Sequence, residues 1–406
     1  MQLQSLCDVK TDEGIRERLG QLPPKLEELY RQHYEKLTKA SAEADREVTT
    51  NTFSWLLCAQ RRLASSELLA ALLVRRQCSD QLTIDHVLEM CSNMVVFDST
   101  LDTFRFAHLS VREFLEKRPE YDGAVTNSVA AARCLLELLN AVSDPAIGRS
   151  VPEVRQFSFG STRSYGLSPY ANLYWATHCQ LAAHQRASGK LKDLFFYFLD
   201  NESDPRSALA IWSGSVQELL DYSVQWNTYR RLEDTKTQKG MALFIACCFD
   251  FPEIVKRQSI LSTDVRNHNG FSALEVAARH GSCDALSILV DDKLSSIGDG
   301  VVEAAAENEE RGKEVMQLLL EKRGAEVIVT KEVIRRAALN QKSGKEVTLL
   351  LLEQGPANMV LTEDIVRSIA ANFDIEVMRV LLEQRGADVV VTEEVVKQQR
   401  GIAGRE

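Results

Sequence analysis

From about residue 238 onward the chain repeats itself, and this periodicity narrows the possible folds more than any other feature of the sequence. The stretches "GMALFIACCFDFPEIVKR" and "GFSALEVAARHGSCDALSIL" align with Ala242 over Ala273, a period of 31 residues. Three further stretches follow: "VVEAAAENEERGKEVMQLLLEKRGAEV", "VTKEVIRRAALNQKSGKEVTLLLLEQGPANM" and "LTEDIVRSIAANFDIEVMRVLLEQRGADV". Their helix-starting threonines are Thr330, Thr362 and Thr392, spaced 32 and then 30 apart. Each is an expected N-cap followed by acid in the first turn, where the helix dipole favours negative charge. Gly324, Gly355 and Gly386 close the second helix of a unit and are expected as left-handed C-caps. Helix, turn, helix and loop at this spacing describe a stacked solenoid. No single unit has enough apolar surface to stand alone, so Leu318, Leu319, Leu320 and their equivalents must be buried between neighbours.

Upstream, the pattern changes. "LPPKLEELYRQHYEKL" starts a helix at Pro23 and Pro24, with Leu26, Leu29, Tyr30, His33 and Leu37 along one stripe. A second helix runs through Trp55, Leu56 and Leu57, Ser65 or Ser66 caps a third, and Thr83 begins a fourth. "NMVVFD", a polar "STLD" and "TFRFAH" then read as a two-stranded hairpin. Three helices, a hairpin and another helix have the layout of a winged helix. Alternation along the second strand sends Phe104, Phe106 and His108 one way and Arg105 the other. Ser110 and Glu113 have the spacing of a capping box, and Leu109 and Phe114 that of a hydrophobic staple. His108 is therefore expected on the core side, satisfied by a backbone carbonyl.

Charge removes several function classes. The net charge is -10 over 406 residues, whereas phosphate neutralisation needs a basic surface. The helix from Thr83 to Cys91, which would enter a DNA groove, carries Asp85 and Glu89 and no Lys or Arg. Neither nucleic acid nor membrane is expected as a partner, and no apolar run reaches spanning length. The N-terminus lacks a secretory pattern. Nine cysteines without CxxC spacing, including the adjacent Cys247 and Cys248 on different sides of a helix, fit reduced thiols of a cytoplasmic protein, with a nuclear one also admitted. Residues 119–235 read as helices with irregular connections, the most loop-like being "SFGSTRSYGLSPY" at 158–170. His178 and His184 fall on different faces and make no metal pair. Tyr174, Trp175, Phe195, Phe196 and Phe198 read as core.

"NGFSALEVAARHGSCDALSILVD" (Asn269–Asp291) resembles an ankyrin repeat, with Gly270, Ala273, Leu274, Ala277, Ala278 and Gly281 where that family places turn glycines and packing residues. Ser272, Ala273 and Glu275 replace the usual Thr, Pro and His, and Ser272 with Glu275 forms a capping box instead. The later units resemble the divergent ankyrin-type repeats at the C-terminal end of fungal signalling proteins. Residues 1–118 resemble the region that follows the NACHT ATPase in fungal NLR-like proteins, through "RERLGQLPPKLEELY", "FSWLLCAQRRLASSELLAALL" and "VVFDSTLDTFRFAHLSVREFL". The same module is named a winged helix after GPI inositol-deacylase, a domain label that implies no esterase. In NACHT ATPases the histidine of the "F-x-H-x-S-[VF]-x-[ED]-F/Y" motif contacts the β-phosphate of ADP; by that resemblance it is His108. A nucleotide site also needs G-x-x-x-x-G-K-[ST], which is absent: Gly189, Gly312 and Gly344 precede lysines but lack the rest of the motif.

The expected architecture is mainly α. It has a tail of a missing ATPase helical region (1–20), a winged helix domain with a short β-hairpin (21–118), a helical linker domain (119–235), and an α-solenoid of ankyrin and ankyrin-like helical hairpins (236–406). The expected function is a non-catalytic interaction module or scaffold. Its repeats bind a protein partner through loop tips and the inner helix row, including Asn269, Asp299, Thr330, Thr362 and Thr392. No catalytic residue, metal or cofactor is expected, and the acidic run Glu307, Glu309 and Glu310 reads as a solvated turn. The alternative is the regulatory and sensing half of an ATP-switched NTPase, with His108 binding ADP when an upstream NACHT ATPase domain is supplied.

Overall fold

The computed structural model describes residues 26–40, 42–72, 82–140, 166–200, 202, 204–219, 225–258, 265–291, 296–355, 361–386, 389, 392–393 and 395–398. The tail expected at 1–20, the Pro23–Pro24 helix start and most of the loop at 158–170 lie outside them. The chain divides into two compact units, Met1–Leu219 and Leu220–Glu406.

Among the described residues the first unit is helical apart from one hairpin. Helices α1 (Leu26–Ala40), α2 (Glu43–Cys58), α3 (Ser65–Leu72) and α4 (Ile84–Cys91) precede strands β1 (Val95–Asp98) and β2 (Thr103–Phe106), then α5 (Leu109–Glu116). The strands pair antiparallel, with Val95 opposite Phe106 and Phe97 opposite Phe104. Ala64 adds a single bridge to Thr103, so the chain entering α3 forms the third edge of a winged helix. Ser65 fixes that edge: its N–H donates to the Asp102 carbonyl at 2.8 Å and its hydroxyl meets the Asp102 carboxylate at 2.6 Å. As expected, Thr83 caps α4. Tyr34, Phe53, Phe114 and Tyr121 form a ring cluster between α1, α2 and α5, with centroids 6.2–6.4 Å apart in the Tyr34–Phe53, Tyr34–Phe114, Tyr34–Tyr121 and Phe53–Tyr121 pairs. Burying rings of this size supplies most of the local hydrophobic stabilisation.

Four more α-helices follow among the described residues: α6 (Gly123–Asn140), α7 (Ser168–Leu181), α8 (Gly189–Asp200) and α9 (Ala208–Leu219). Trp175, Phe198 and Trp212 pack edge to face in their core. His178 is fully buried in a closed relay: Tyr170 Oη accepts from the Gln60 N–H and lies 2.7 Å from His178 Nε2, while His178 Nδ1 lies 2.7 Å from Asn127 Oδ1. Burial depresses its pKa to about 3, so the imidazole is neutral.

Among its described residues the second unit has α10 (Trp226–Asp234) followed by five helical hairpins. Their first helices are α11 (Met241–Phe249), α13 (Ala273–His280), α15 (Asp299–Glu307), α17 (Lys331–Leu339) and α19 (Glu363–Asn372). Their second helices are α12 (Pro252–Gln258), α14 (Cys283–Asp291), α16 (Gly312–Arg323), α18 (Gly344–Gln354) and α20 (Ile375–Arg385). First helices pack on first helices and second on second, so two rows stack through the unit. Because α10 packs on α11 and belongs to this unit, the structure divides before it, not after residue 235. Helix α11 is buried on every side, so Cys247 and Cys248 are both fully enclosed although they point apart.

Ser272 and Glu275 make the expected capping box, and Thr330 and Thr362 cap α17 and α19. Leu319 is fully buried, as are Leu351 and Leu381, whereas Leu318 and Leu320 are half-buried. The expected left-handed glycine caps are not formed: Gly324, Gly355 and Gly386 have φ of -54°, -61° and -56°. At Gly355 the reason lies in the next unit. Carbonyls orphaned at the end of one second helix are met by cations from the following one: Arg323 donates to Val290 O at 3.1 Å, and Arg385 to Gly355 O at 2.9 Å. With its carbonyl filled in this way, Gly355 needs no reversal into left-handed backbone. Gly281 alone among the hairpin glycines named here keeps it, at φ 70°.

A second inter-unit brace uses asparagine. Asn308 Nδ2 donates to the carbonyls of Ala278 and Arg279 in the preceding unit, while its Oδ1 accepts from the N–H groups of Glu310 and Arg311. Asn340 repeats this 32 residues later: Nδ2 donates to Ala306 O and Asn308 O, and Oδ1 accepts from the N–H groups of Lys342 and Ser343. Each brace shapes the turn that delivers Gly312 or Gly344. At Gly344 a Cβ would stand 1.8 Å from the Ala337 carbonyl oxygen. The Gly-Lys pairs at 312 and 344 are thus close-approach sites between helices.

Candidate functional site

The residues with the most unusual environments in the second unit gather where α10 meets the first-helix row. Asp234, the last residue of α10, is 2% exposed and accepts hydrogen bonds from His280 Nε2 at 2.8 Å and Asn269 Nδ2 at 3.0 Å. Arg279 Nε lies 3.5 Å from it. Burial opposes ionisation of Asp234, but the bonds from His280 and Asn269 and the nearby Arg279 outweigh it and hold its pKa below the ordinary carboxylate range. Burial, reinforced by the charges of Arg231 and Arg230, holds His280 below its own ordinary value against the pull of Asp234. The pair is therefore an aspartate and a neutral histidine. The arrangement locks α10 to the second hairpin through α13.

Beside it runs a ladder of charge. Glu307, at the end of α15, accepts from Arg230 of α10 at 2.8 Å and from Arg336 of α17 at 2.7 Å, with Arg279 of α13 at 3.7 Å. Arg336 also lies 3.0 Å from Glu332 and 3.3 Å from Glu303. The reading of this run as a solvated turn holds for Glu309 and Glu310, which are exposed in a turn, and is corrected for Glu307. Glu307 ties three helices together, and Glu310 lies 3.4 Å from Asn227 and 3.9 Å from Arg231. Glu309 keeps its half-exposed position beside Lys342. Sequence reasoning missed Glu307 because its partners come from residues 230, 279 and 336, separations no local pattern reveals. Individually such part-exposed pairs contribute about 0–1 kcal/mol; together they fix the register of successive helices.

The expected partner-binding residues are spread along the same side of the repeats. Asn269 is exposed and holds Asp234. Asp299 is exposed in the first turn of α15. Thr330 and Thr362 have their hydroxyls engaged as caps, and the Thr392 hydroxyl has no partner among the described residues. Sequence reasoning missed Trp226, which is 70% exposed and stacks on Tyr229 at 5.7 Å and 13°. The other three tryptophans are at most 1% exposed.

His108 is not on the core side of the hairpin. It is exposed and is itself the N-cap of α5: Nδ1 accepts the Ser110 N–H at 3.2 Å and lies 2.7 Å from Ser110 Oγ, which in turn lies 2.8 Å from Tyr30 Oη. The Ser110–Glu113 capping box and the Leu109–Phe114 staple are accordingly absent, and Leu109 is 65% exposed. A backbone donor at Nδ1 leaves the proton of the neutral ring on Nε2, so His108 presents an N–H donor away from its own helix. Among the described residues no cluster of His, Cys, Asp and Glu could hold a metal, and no helix is long and apolar enough to cross a membrane.

Residues 296–316, 318–347 and 380–397 match a family model described as a domain of unknown function, DUF7104. No curated protein and no solved structure matches the chain. The hairpin, its flanking helices and His108 all lie within residues 35–126, and that stretch matches the family model of the GPI inositol-deacylase winged helix domain.

Proposed function

We propose that the chain is a non-catalytic protein-interaction module of the NACHT- and ankyrin-linked signalling type, with the first-helix row of the repeats as the partner surface. One observation carries this reading: five stacked hairpins present the side chains of their first helices at regular intervals along one row, which begins beside an exposed tryptophan. Stacked repeats with this geometry offer an extended surface rather than an enclosed site. The test is to purify the native protein with its bound partner and map crosslinks to lysines. Contacts are expected at Lys331 on the first-helix row rather than Lys345 on the second. Replacing exposed Arg335 and half-buried Arg367 by alanine should release the partner, at a stability cost of only about 0–1 kcal/mol for each lost pair with Glu332 or Glu363. A partner mapped to the second-helix row, or retained by that variant, would refute the proposal.

His108 favours a second reading, in which the winged helix senses nucleotide held by an upstream NACHT ATPase domain. Its outward Nε2–H has the polarity to donate to a phosphate oxygen. In a chain supplied with that ATPase, His108→Asn keeps a capping side chain but withdraws the imidazole. Faster ADP release at unchanged stability supports the sensor; unchanged release removes it.

A further inference from the structure

We propose that a proline-rich segment of a protein partner, in the polyproline II conformation, docks in the cleft between Trp226, Tyr229 and Phe271. The idea rests on the protein-interaction reading and specifies the chemistry of the ligand. The cleft measures about 320 Å³ and is also lined by Arg230, Glu233, Asp234, Asn269 and Arg279. Its charges are already matched within the chain. Asp234 is sealed by His280, Asn269 and Arg279, Glu233 is paired with Lys236, and Arg230 is bound to Glu307. Arg279 lies over the Phe271 ring at 4.8 Å with Asp234 and Glu307 nearby. An acidic ligand would meet Glu233, and a basic one would meet Arg230 and Arg279, so the complementary ligand is neutral.

What the cleft leaves unused is ring surface and one indole N–H. Trp226 exposes its indole above the Tyr229 ring, with Phe271 on the same cleft wall, and the indole N–H makes no hydrogen bond among the described residues. A polyproline II strand supplies the complement: apolar ring faces for stacking, outward carbonyl acceptors, few donors of its own, and little conformational entropy to lose. An exposed Trp–Tyr pair also has the composition of an interface hot spot.

Trp226 is the one exposed tryptophan, so its fluorescence reports occupancy directly. The full chain is titrated with a decaproline peptide and, separately, with oligoglutamate, oligoarginine and glycine–serine peptides. Decaproline should give a saturable emission change that is insensitive to salt. Trp226→Ala should abolish binding measured by calorimetry, and Tyr229→Ala should weaken it about tenfold or more, both at unchanged melting temperature. No saturable response to decaproline, or an equal response to either charged peptide, overturns the proposal. If that happens while a partner still binds through Arg335 and Arg367, the cleft assignment fails and the wider function stands. If no row-dependent partner exists, the wider function fails.

Discussion

Replacing Asn340 by alanine tests whether the repeats are held by polar braces as well as by their apolar seam. The side chain is 6% exposed. Its Nδ2 donates to Ala306 O at 3.1 Å and Asn308 O at 2.8 Å, and its Oδ1 accepts from Lys342 N at 3.2 Å and Ser343 N at 3.0 Å. Alanine removes these four bonds and a fifth, from Nδ2 to Ser343 Oγ at 2.9 Å; Asn308 O keeps its bond from Ser343 Oγ, so one carbonyl and two amides are left to a site that water reaches poorly. At about 1 kcal/mol net for each bond, tempered by partial hydration, the loss should be about 2–4 kcal/mol. In a unit of this size that corresponds to a fall in melting temperature of roughly 4–16 °C. Asn372, 32 residues further on, is the internal control: it is exposed and its amide bonds only Ser368 O in its own helix, so Asn372→Ala should change stability by less than about 0.5 kcal/mol. Urea and thermal denaturation of the full chain, followed by far-ultraviolet circular dichroism, measure both. If Asn340→Ala costs less than about 1 kcal/mol, or no more than Asn372→Ala, the brace contributes nothing and the argument from unsatisfied backbone groups is wrong.

The same turn makes Gly344→Ala costly, by about 3 kcal/mol or more, because the Ala337 carbonyl cannot retreat from a Cβ at 1.8 Å; Gly312→Ala, whose Cβ would stand 3.0 Å from the Ala305 oxygen, should cost less in the same denaturation assay. Acid should loosen the second unit in two steps. His280 and Asp234 both have folded pKa values below their ordinary ones, so each contributes stability that is full above its unfolded pKa and lost as pH falls. Melting temperatures should therefore fall below about pH 6.5 and again below about pH 4, and His280→Gln should flatten the first step. Ala183 has φ of 46°, a conformation that costs an L-residue about 1–2 kcal/mol. Ala183→Gly should stabilise the first unit by about 0.5–1 kcal/mol once the added freedom of the unfolded glycine is counted, a rise readable by calorimetry.

What could be read from the sequence was what local chemistry decides. The caps at Thr83, Thr330 and Thr362, the Ser272–Glu275 box and the hairpin each depend on residues a few positions apart, and each formed as expected. The errors arose where a distant group took the place of a local partner. Ser110 can cap a helix, but Tyr30, eighty residues earlier, lies against its hydroxyl, and His108 takes over the cap. Gly355 suits a left-handed turn, but an arginine of the neighbouring unit changes what the backbone must do. The brace did leave a trace in the sequence, the spacing N-x-x-x-G-K-E-V at Asn308 and again at Asn340. Its glycine and lysine resemble part of a phosphate loop, which drew attention from the asparagine.

The brace also sets where this chain can be cut and rejoined. Removing residues 309–340 would join Asn308 to Gln341 and leave Asn308-Gln341-Lys342-Ser343-Gly344, the same asparagine-to-glycine spacing as in the parent. The excised piece carries its own Gly312 and ends in its own Asn340, so inserting a second copy at the same junction is equally in phase. A splice displaced by a few residues would strand a donor or an acceptor in the turn. Recombination between related copies is thus tolerated in whole steps of one period, and the length of such an array can change by duplication or loss without a new junction having to evolve.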